Sequence, residues 1–470
     1  MQSLRERATT VFLIVWWCAY LYNYTRQNAN DLTVAIQAIE GGSLLTQILI
    51  LSLAAYGLLL MLFNRQQLRL WRRTWFKWLV AYVVWSGITL IWSRAPELSI
   101  RRYGAFLAVL AGTLGLGAAY FQDRAGGMFA LARVVCAAGT SAGVAIMALS
   151  LTELTPSNLL NPVWAPSVRS LGPYLIYAVS FGLLAAFALG ILLKQRLYYL
   201  PLGLQISALL LFKSRSLTAF VLLTVMTMWA ITLVQRKYSL ALVLAVAIVV
   251  PLAYVGHTYD LGDELLSVLM PYLQRGDSVE TFDTLNGRVP LWSYLSASFW
   301  GNPFGGVGFG AFWTPQQVVL VRHAVGWQAP VAHNGFLDEA LGTGLPGLLL
   351  LILVLVYGMR DLWRASFAQS THSEGTVFGM AVVLLYILFN MTDTVTQFYF
   401  RFPFLCVVCA FACGATATTA AHKSLRALTT ISIIPQPQAG PVHPSDILRA
   451  RPADRIPKAS VSQSSTKSLN

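Results

Sequence analysis

The sequence predicts an all-α polytopic membrane protein of about 12 transmembrane helices with one long extracytoplasmic loop. Three observations carry this. The 470 residues are 56% hydrophobic and only 11% charged, with mean hydropathy +0.61, more apolar surface than a soluble core of this size hides. Apolar runs recur from Val11 to Ala417 as continuous rather than alternating stretches, which excludes a single anchor and disfavours a β-barrel. One long polar interruption, around 256–333, breaks the series.

A spanning helix needs about 20 mostly apolar residues, with about 17 as a practical minimum. Such runs lie near 8–24, 44–63, 75–92, 103–121, 128–150, 172–193, 197–212, 216–234, 239–255, 334–358, 376–392 and 398–419, and Pro201 and Pro346 are expected to kink or shorten theirs. The chain therefore divides into nine helices within 1–255, the loop at 256–333, three helices within 334–419 and a tail at 420–470. Alternate loops hold Arg65, Arg69, Arg72 and Arg73, then Arg124, Lys194 with Arg196, Arg236 with Lys237, and Arg360 with Arg364. Short cytoplasmic loops collect positive charge, so these face the cytoplasm, both termini join them, and the long loop lies outside.

Arg5 and Arg7 precede the first apolar run, but Trp16, Trp17, Tyr20 and Tyr22 stand where small residues would mark a cleavage site, so an uncleaved first helix is expected. All five Cys (Cys18, Cys136, Cys406, Cys409, Cys413) lie in expected spans, and a Cys406/Cys409 CxxC inside an apolar helix does not suggest redox or metal chemistry. From His422 the chain turns rich in Pro, Ser and Thr, and seven Lys or Arg against Asp446 and Asp454 leave it at +5. This reads as a disordered basic cytoplasmic tail, either inert or lying on anionic membrane lipids. The net +14 reflects that tail and the inside loops, so no nucleic-acid partner is implied.

Several arginines oppose the insertion bias. Arg169, Arg215 in a Lys213-Ser-Arg-Ser216 turn, Arg288, and the Arg94, Arg101 and Arg102 group fall on the outer side. Snorkelling to head groups or pairing with Glu97 accounts for Arg94, Arg101 and Arg102. For Arg215 and Arg288 an anionic ligand is favoured, since the planar guanidinium gives bidentate hydrogen bonds to phosphate oxygens. His333 stands before an expected helix, beside Asn334 and about one turn from Asp338 and Glu339. It is either a proton acceptor or a hydrogen-bonded structural residue. The Gly301, Gly305, Gly306, Gly308, Gly310 series permits tight folding or close approach to a ligand but lacks the strand and helix context of a nucleotide loop. Asp260, Asp263 and Glu264 match no defined metal spacing, so no metal is assigned.

Arg169-Ser-Leu-Gly172, the Ser214-Arg215-Ser216 turn, Asn286-Gly287-Arg288 with Trp292, Pro303 to Phe312, and Ala332-His333-Asn334-Gly335 together resemble the O-antigen ligase and polymerase superfamily, and Trp92-Ser-Arg-Ala-Pro96 also fits. The resemblance covers 92 to about 350 and departs after Gly172, where Pro173-Tyr174 replaces an Asn-containing continuation. Trp92 to Pro96, Gly308 to Trp313 and His333 to Leu337 look closest to its exopolysaccharide-polymerase branch.

The resemblance implies an inverting, metal-independent glycosyltransferase without cofactors, at the outer face of a bacterial inner membrane. Its donor would be a glycan on undecaprenyl pyrophosphate, and its acceptor another glycan or, for a ligase, lipid A core; protein O-glycosylation is a third job of the superfamily. Polysaccharide-export or chain-length proteins would be partners. His333 and Arg288 are the implied catalytic residues, with Arg215, Arg169, Asn334 and Trp292 binding substrate. A transporter of glycan lipids or organic anions is the alternative of another class; it should carry mid-bilayer charges, for which Asp393 and Arg401 are the deep candidates.

Overall fold

The computed structural model describes residues 11–20, 44–62, 70–117, 127–153, 174–212, 214–235, 287–327, 329–367, 373–394 and 403–413, with single positions at 9, 155, 157, 158 and 285. The expected span at 239–255, Arg169, Asn286, Arg401, the acidic cluster from Asp260 to Glu264 and the tail from His422 lie outside the described residues.

All described regular structure is helical. In chain order the helices are α1 (Val11–Tyr20), α2 (Leu44–Leu62), α3 (Thr74–Ile88), α4 (Pro96–Leu116), α5 (Gly127–Ser150), α6 (Tyr174–Phe187), α7 (Tyr199–Phe212), α8 (Arg215–Gln235), α9 (Arg288–Trp300), α10 (Pro315–Val325), α11 (Gly335–Phe367), α12 (Ser373–Thr392) and α13 (Pro403–Cys413). Seven helical segments among the described residues are long and apolar enough to cross a membrane, and three shorter apolar helices accompany them. The chain is thus a multi-pass α-helical membrane protein. Helix α4 is long enough but opens on Pro96, Glu97, Arg101 and Arg102, so its first two turns extend the helix beyond its apolar part. Pro201 sits in the first turn of α7, where its missing N–H costs nothing and the helix runs on.

Small residues bring helices into close contact. A Cβ on Gly182 of α6 would fall 2.6 Å from the Gly139 Cα of α5, so these two backbones touch. Beside them Gln205 of α7 donates from Nε2 to the Cys136 carbonyl at 3.1 Å and to Thr140 Oγ1 at 3.0 Å, closing a three-helix seam. Gly57 of α2 and Gly112 of α4 pack the same way, their backbones too close for either to carry a Cβ.

From Gly287 on, the described part of the polar interruption is a folded cap. Helix α9 and helix α10, whose first turn is capped by the Thr314 hydroxyl accepting from Gln317 N, enclose their own core of Leu291, Leu295, Val307, Phe312, Trp313, Val318 and Val321, onto which Leu341 of α11 packs. The cap meets the bundle at a break in α11. Gly344 adopts φ 71°, ψ −177°, two residues before Pro346, which splits the 33-residue helix where the sequence anticipated a kink. Backbone groups freed by the break pair with the glycine segment: Val307 N donates to Leu341 O (3.0 Å), Gly308 N to Gly342 O (2.9 Å), and Leu345 N to Pro303 O (2.7 Å).

Gly306, at φ 60°, lies so close to this break that a Cβ would collide with the Gly342 carbonyl oxygen. Gly326, at φ 80°, has open space around it. Both substitutions by Ala pay a left-handed backbone penalty of about 1–2 kcal/mol, but only Gly306→Ala also forces the seam apart. Thermal unfolding in detergent should show a clearly larger loss for Gly306→Ala than for Gly326→Ala, and equal losses would mean the seam is not tightly closed.

Candidate active site

The three motif segments noted in the sequence meet at the cap. Trp92 Nε1 donates to Gly305 O at 3.0 Å, Arg94 N to Val307 O at 2.9 Å, and Phe309 N to Thr89 Oγ1 at 3.0 Å. Arg102 donates from its guanidinium to the Gly310 carbonyl. This end of α4 therefore holds the glycine segment from below, a structural use of Arg102 distinct from snorkelling or pairing with Glu97. The glycines let backbone approach backbone: a Cβ on Gly308 would lie 2.6 Å from Ser93 Cβ.

Beyond the glycine segment, Asp338 fixes the turn that presents His333. Its carboxylate is fully buried and accepts from Trp313 Nε1 at 2.6 Å, from Ala332 N at 3.1 and 3.2 Å, and from the Thr394 hydroxyl. A buried carboxylate is tolerable only with such donors. Here they tie the glycine segment, the His333 turn and the end of α12 to one residue. Trp292 donates from Nε1 to Ala332 O at 2.8 Å, so the peptide groups before His333 are held on both sides. Asn334 Oδ1 accepts from Phe336 N and Leu337 N at 3.1 Å each, capping α11. Between these restraints His333 takes φ 50°, a left-handed conformation uncommon outside glycine, in which the neighbours hold it.

The His333 side chain is a quarter exposed, and its Nδ1 lies 3.5 Å from Asp393 Oδ1, longer than a formed hydrogen bond. Asp393 follows the last turn of α12, its Oδ1 accepting from Thr394 N at 2.8 Å and its Oδ2 from the Tyr177 hydroxyl of α6. Arg288, the first residue of α9 after Gly287 at φ 79°, shares these neighbours. Burial lowers the pKa of its guanidinium, and the Asp393 carboxylate and the Tyr177 phenol oppose the shift. An arginine starts so high that it remains a cation at neutral pH. Asp393 thus sits between a histidine and an arginine that lie 45 residues apart (288 and 333) in sequence.

Trp327 closes the group, its ring centroid 5.7 Å from that of His333 and its Nε1 donating to Gly287 O at 3.4 Å. Arg215 opens α8 at the same end of the bundle, because Phe220, five residues on, packs against Phe389, four residues before Asp393. The Arg215 side chain lies outside the described residues.

Of the residues expected at the site, the structure brings His333 and Arg288 together. It gives Trp292 and Asn334 hydrogen bonds that shape the His333 turn and the start of α11. Tyr177, Trp327 and Thr394 were not singled out by sequence. Tyr177 lies in an apolar run that carries no signal. Asp393 drew notice as an isolated acid at the end of an apolar span, but as a possible partner of Arg401; its partners here are Tyr177, His333 and Arg288. Among the described residues no group of three His, Cys, Asp or Glu is placed to hold a metal ion, and none of the five cysteines forms a disulfide, all but Cys18 being buried.

Comparison with known proteins supplies the remaining observation. Residues 201–352 match the O-antigen ligase family. The chain is also similar to the exopolysaccharide production protein ExoQ of Rhizobium meliloti (strain 1021), 25% identical over 336 residues that cover 68% of this chain and 73% of that protein. The family match includes Arg215, Arg288, Trp292, the glycine segment, His333 and Asn334, and it ends before Asp393.

Proposed function

From the match of residues 201–352 to the O-antigen ligase family, we propose that this chain is an inverting, metal-independent glycosyltransferase that polymerises polysaccharide repeat units carried on undecaprenyl pyrophosphate. The reaction would occur at the outer face of a bacterial inner membrane, with both termini in the cytoplasm. The observation that carries this reading is the convergence of His333 and Arg288 on Asp393.

In the proposed step an acceptor sugar hydroxyl attacks the anomeric carbon of the donor glycan. The new C–O bond forms as the bond to the pyrophosphate oxygen breaks, and that electron pair leaves on the phosphate. His333 takes the hydroxyl proton, with Nδ1 turned to Asp393 and Nε2 left as the acceptor. Attack opposite the leaving group inverts the anomeric configuration. Arg288, in a partly dehydrated position, stabilises the charge that develops on the pyrophosphate. Arg215 and Arg169 are proposed to contact the same group. Asp393 orients the imidazole and fixes the guanidinium, so one carboxylate sets the distance between base and phosphate ligand.

The test is glycan extension by purified protein, in detergent, from lipid-linked repeat units extracted from a strain lacking this chain. Longer lipid-linked glycans formed without any ion gradient are the expected product. Movement of unaltered glycan lipid across a vesicle membrane, with no new glycosidic bond, would instead establish a transporter. Similarity to ExoQ favours a polymerase over a ligase acting on lipid A core. The deletion strain separates these: single lipid-linked repeats accumulate if the chain polymerises, full-length lipid-linked chains if it ligates.

A further inference from the structure

The geometry points to Trp327 as a stacking platform for the acceptor sugar, an assignment that rests on the transferase reading above. A pyranose ring is amphipathic: its hydroxyls project around the rim, while its C–H bonds make an apolar face carrying partial positive charge. The π face of an indole is apolar and partially negative, so it complements the sugar face without competing for the hydroxyls. A site that must present one hydroxyl to a base benefits from holding the ring by its face.

Trp327 meets the requirements for such a surface. Its side chain is only partly buried and packs against the core of the cap. Its plane is set before any ligand arrives. Gly326, at φ 80°, ends α10 by donating its N–H to Arg322 O at 2.9 Å and turns the chain, while the Trp327 Nε1 bond to Gly287 O ties the indole beside Arg288. Gly287 accommodates it, since a Cβ there would come within 2.7 Å of Trp327 Nε1. A ring fixed in advance loses little conformational entropy on binding. The indole also lies at 35° to the imidazole of His333 with centroids 5.7 Å apart, so a sugar resting on it has its rim hydroxyls beside the base.

Donor and acceptor glycans share this chemistry, and position selects the acceptor: Trp327 adjoins the residue that receives the acceptor proton. The test varies each substrate at saturation of the other, using as acceptor the glycan released by mild acid from the accumulated lipid-linked repeats. Trp327→Phe keeps a flat aromatic face but loses the N–H donor; Trp327→Leu keeps apolar bulk but loses the face. Acceptor KM should stay within about twofold of wild type for Trp327→Phe and rise about threefold to tenfold for Trp327→Leu, with donor KM unchanged in both. A wild-type acceptor KM in Trp327→Leu overturns the platform. Equal losses of kcat in both variants also overturn it, since they would trace to the lost bond with Gly287. A rise in donor KM alone overturns the acceptor assignment and places the donor sugar on the indole. Each of these outcomes presupposes wild-type turnover; a wild type that transfers no sugar removes the transferase reading itself.

Discussion

Purified His333→Ala protein is expected to bind lipid-linked donor and release no detectable product. General-base assistance contributes roughly a hundred- to ten-thousand-fold in rate, enough to take a slow membrane polymerase below detection. Donor binding should persist, because Arg288 is positioned by the start of α9 rather than by the imidazole. Turnover measured beside a donor-binding assay decides the matter. Substantial turnover by His333→Ala removes the base assignment, and loss of donor binding would make His333 a positioning residue.

Arg288 carries the second large effect. Removing a preorganised group that stabilises developing charge costs about a hundred- to thousandfold in kcat, and Arg288→Ala should show at least that. Arg288→Lys should recover little, because an ammonium cannot reproduce the planar fork that grips two phosphate oxygens. Arg288→Ala also leaves the Asp393 carboxylate without its cation, which could lower protein abundance for structural reasons alone. The double variant Arg288→Ala/Asp393→Asn tests abundance alone, which should return, while the catalytic effect is read as turnover per molecule of purified, inserted Arg288→Ala protein. Wild-type activity in both Arg288→Ala and Arg288→Lys would remove Arg288 from the reaction.

Much of this architecture was legible in the sequence because a membrane enforces simple rules. A continuous apolar run must hide its backbone in a helix, so the seven membrane-length helical segments fall where those runs were read. The site was legible where polar residues broke the pattern: His333, Arg288, the glycine segment and Trp92 to Pro96 stood out against apolar surroundings. What escaped notice was hidden in those surroundings. Tyr177 reads as one more aromatic residue in a span, and only the tertiary fold shows its hydroxyl reaching Asp393. Asp338 stood out only as an acid about one turn from His333, yet it is fully buried and organises the turn. The inner face of a folded cap also cannot be inferred from periodicity, since its core comes from two short helices and a glycine segment rather than from one amphipathic stripe.

The broken helix α11 has a consequence for how substrates reach the site. Three backbone hydrogen bonds, joined by Trp85 Nε1 donating to Thr343 O at 2.8 Å, cross from bundle to cap at this break. Each is worth about 0.5–1.5 kcal/mol net, and lifting the cap would strand all of their donors and acceptors at once. Such an opening belongs with unfolding rather than with the turnover cycle. Bundle and cap are therefore joined through this break, and on the reading proposed above a glycan would reach His333 and leave it with the cap in place.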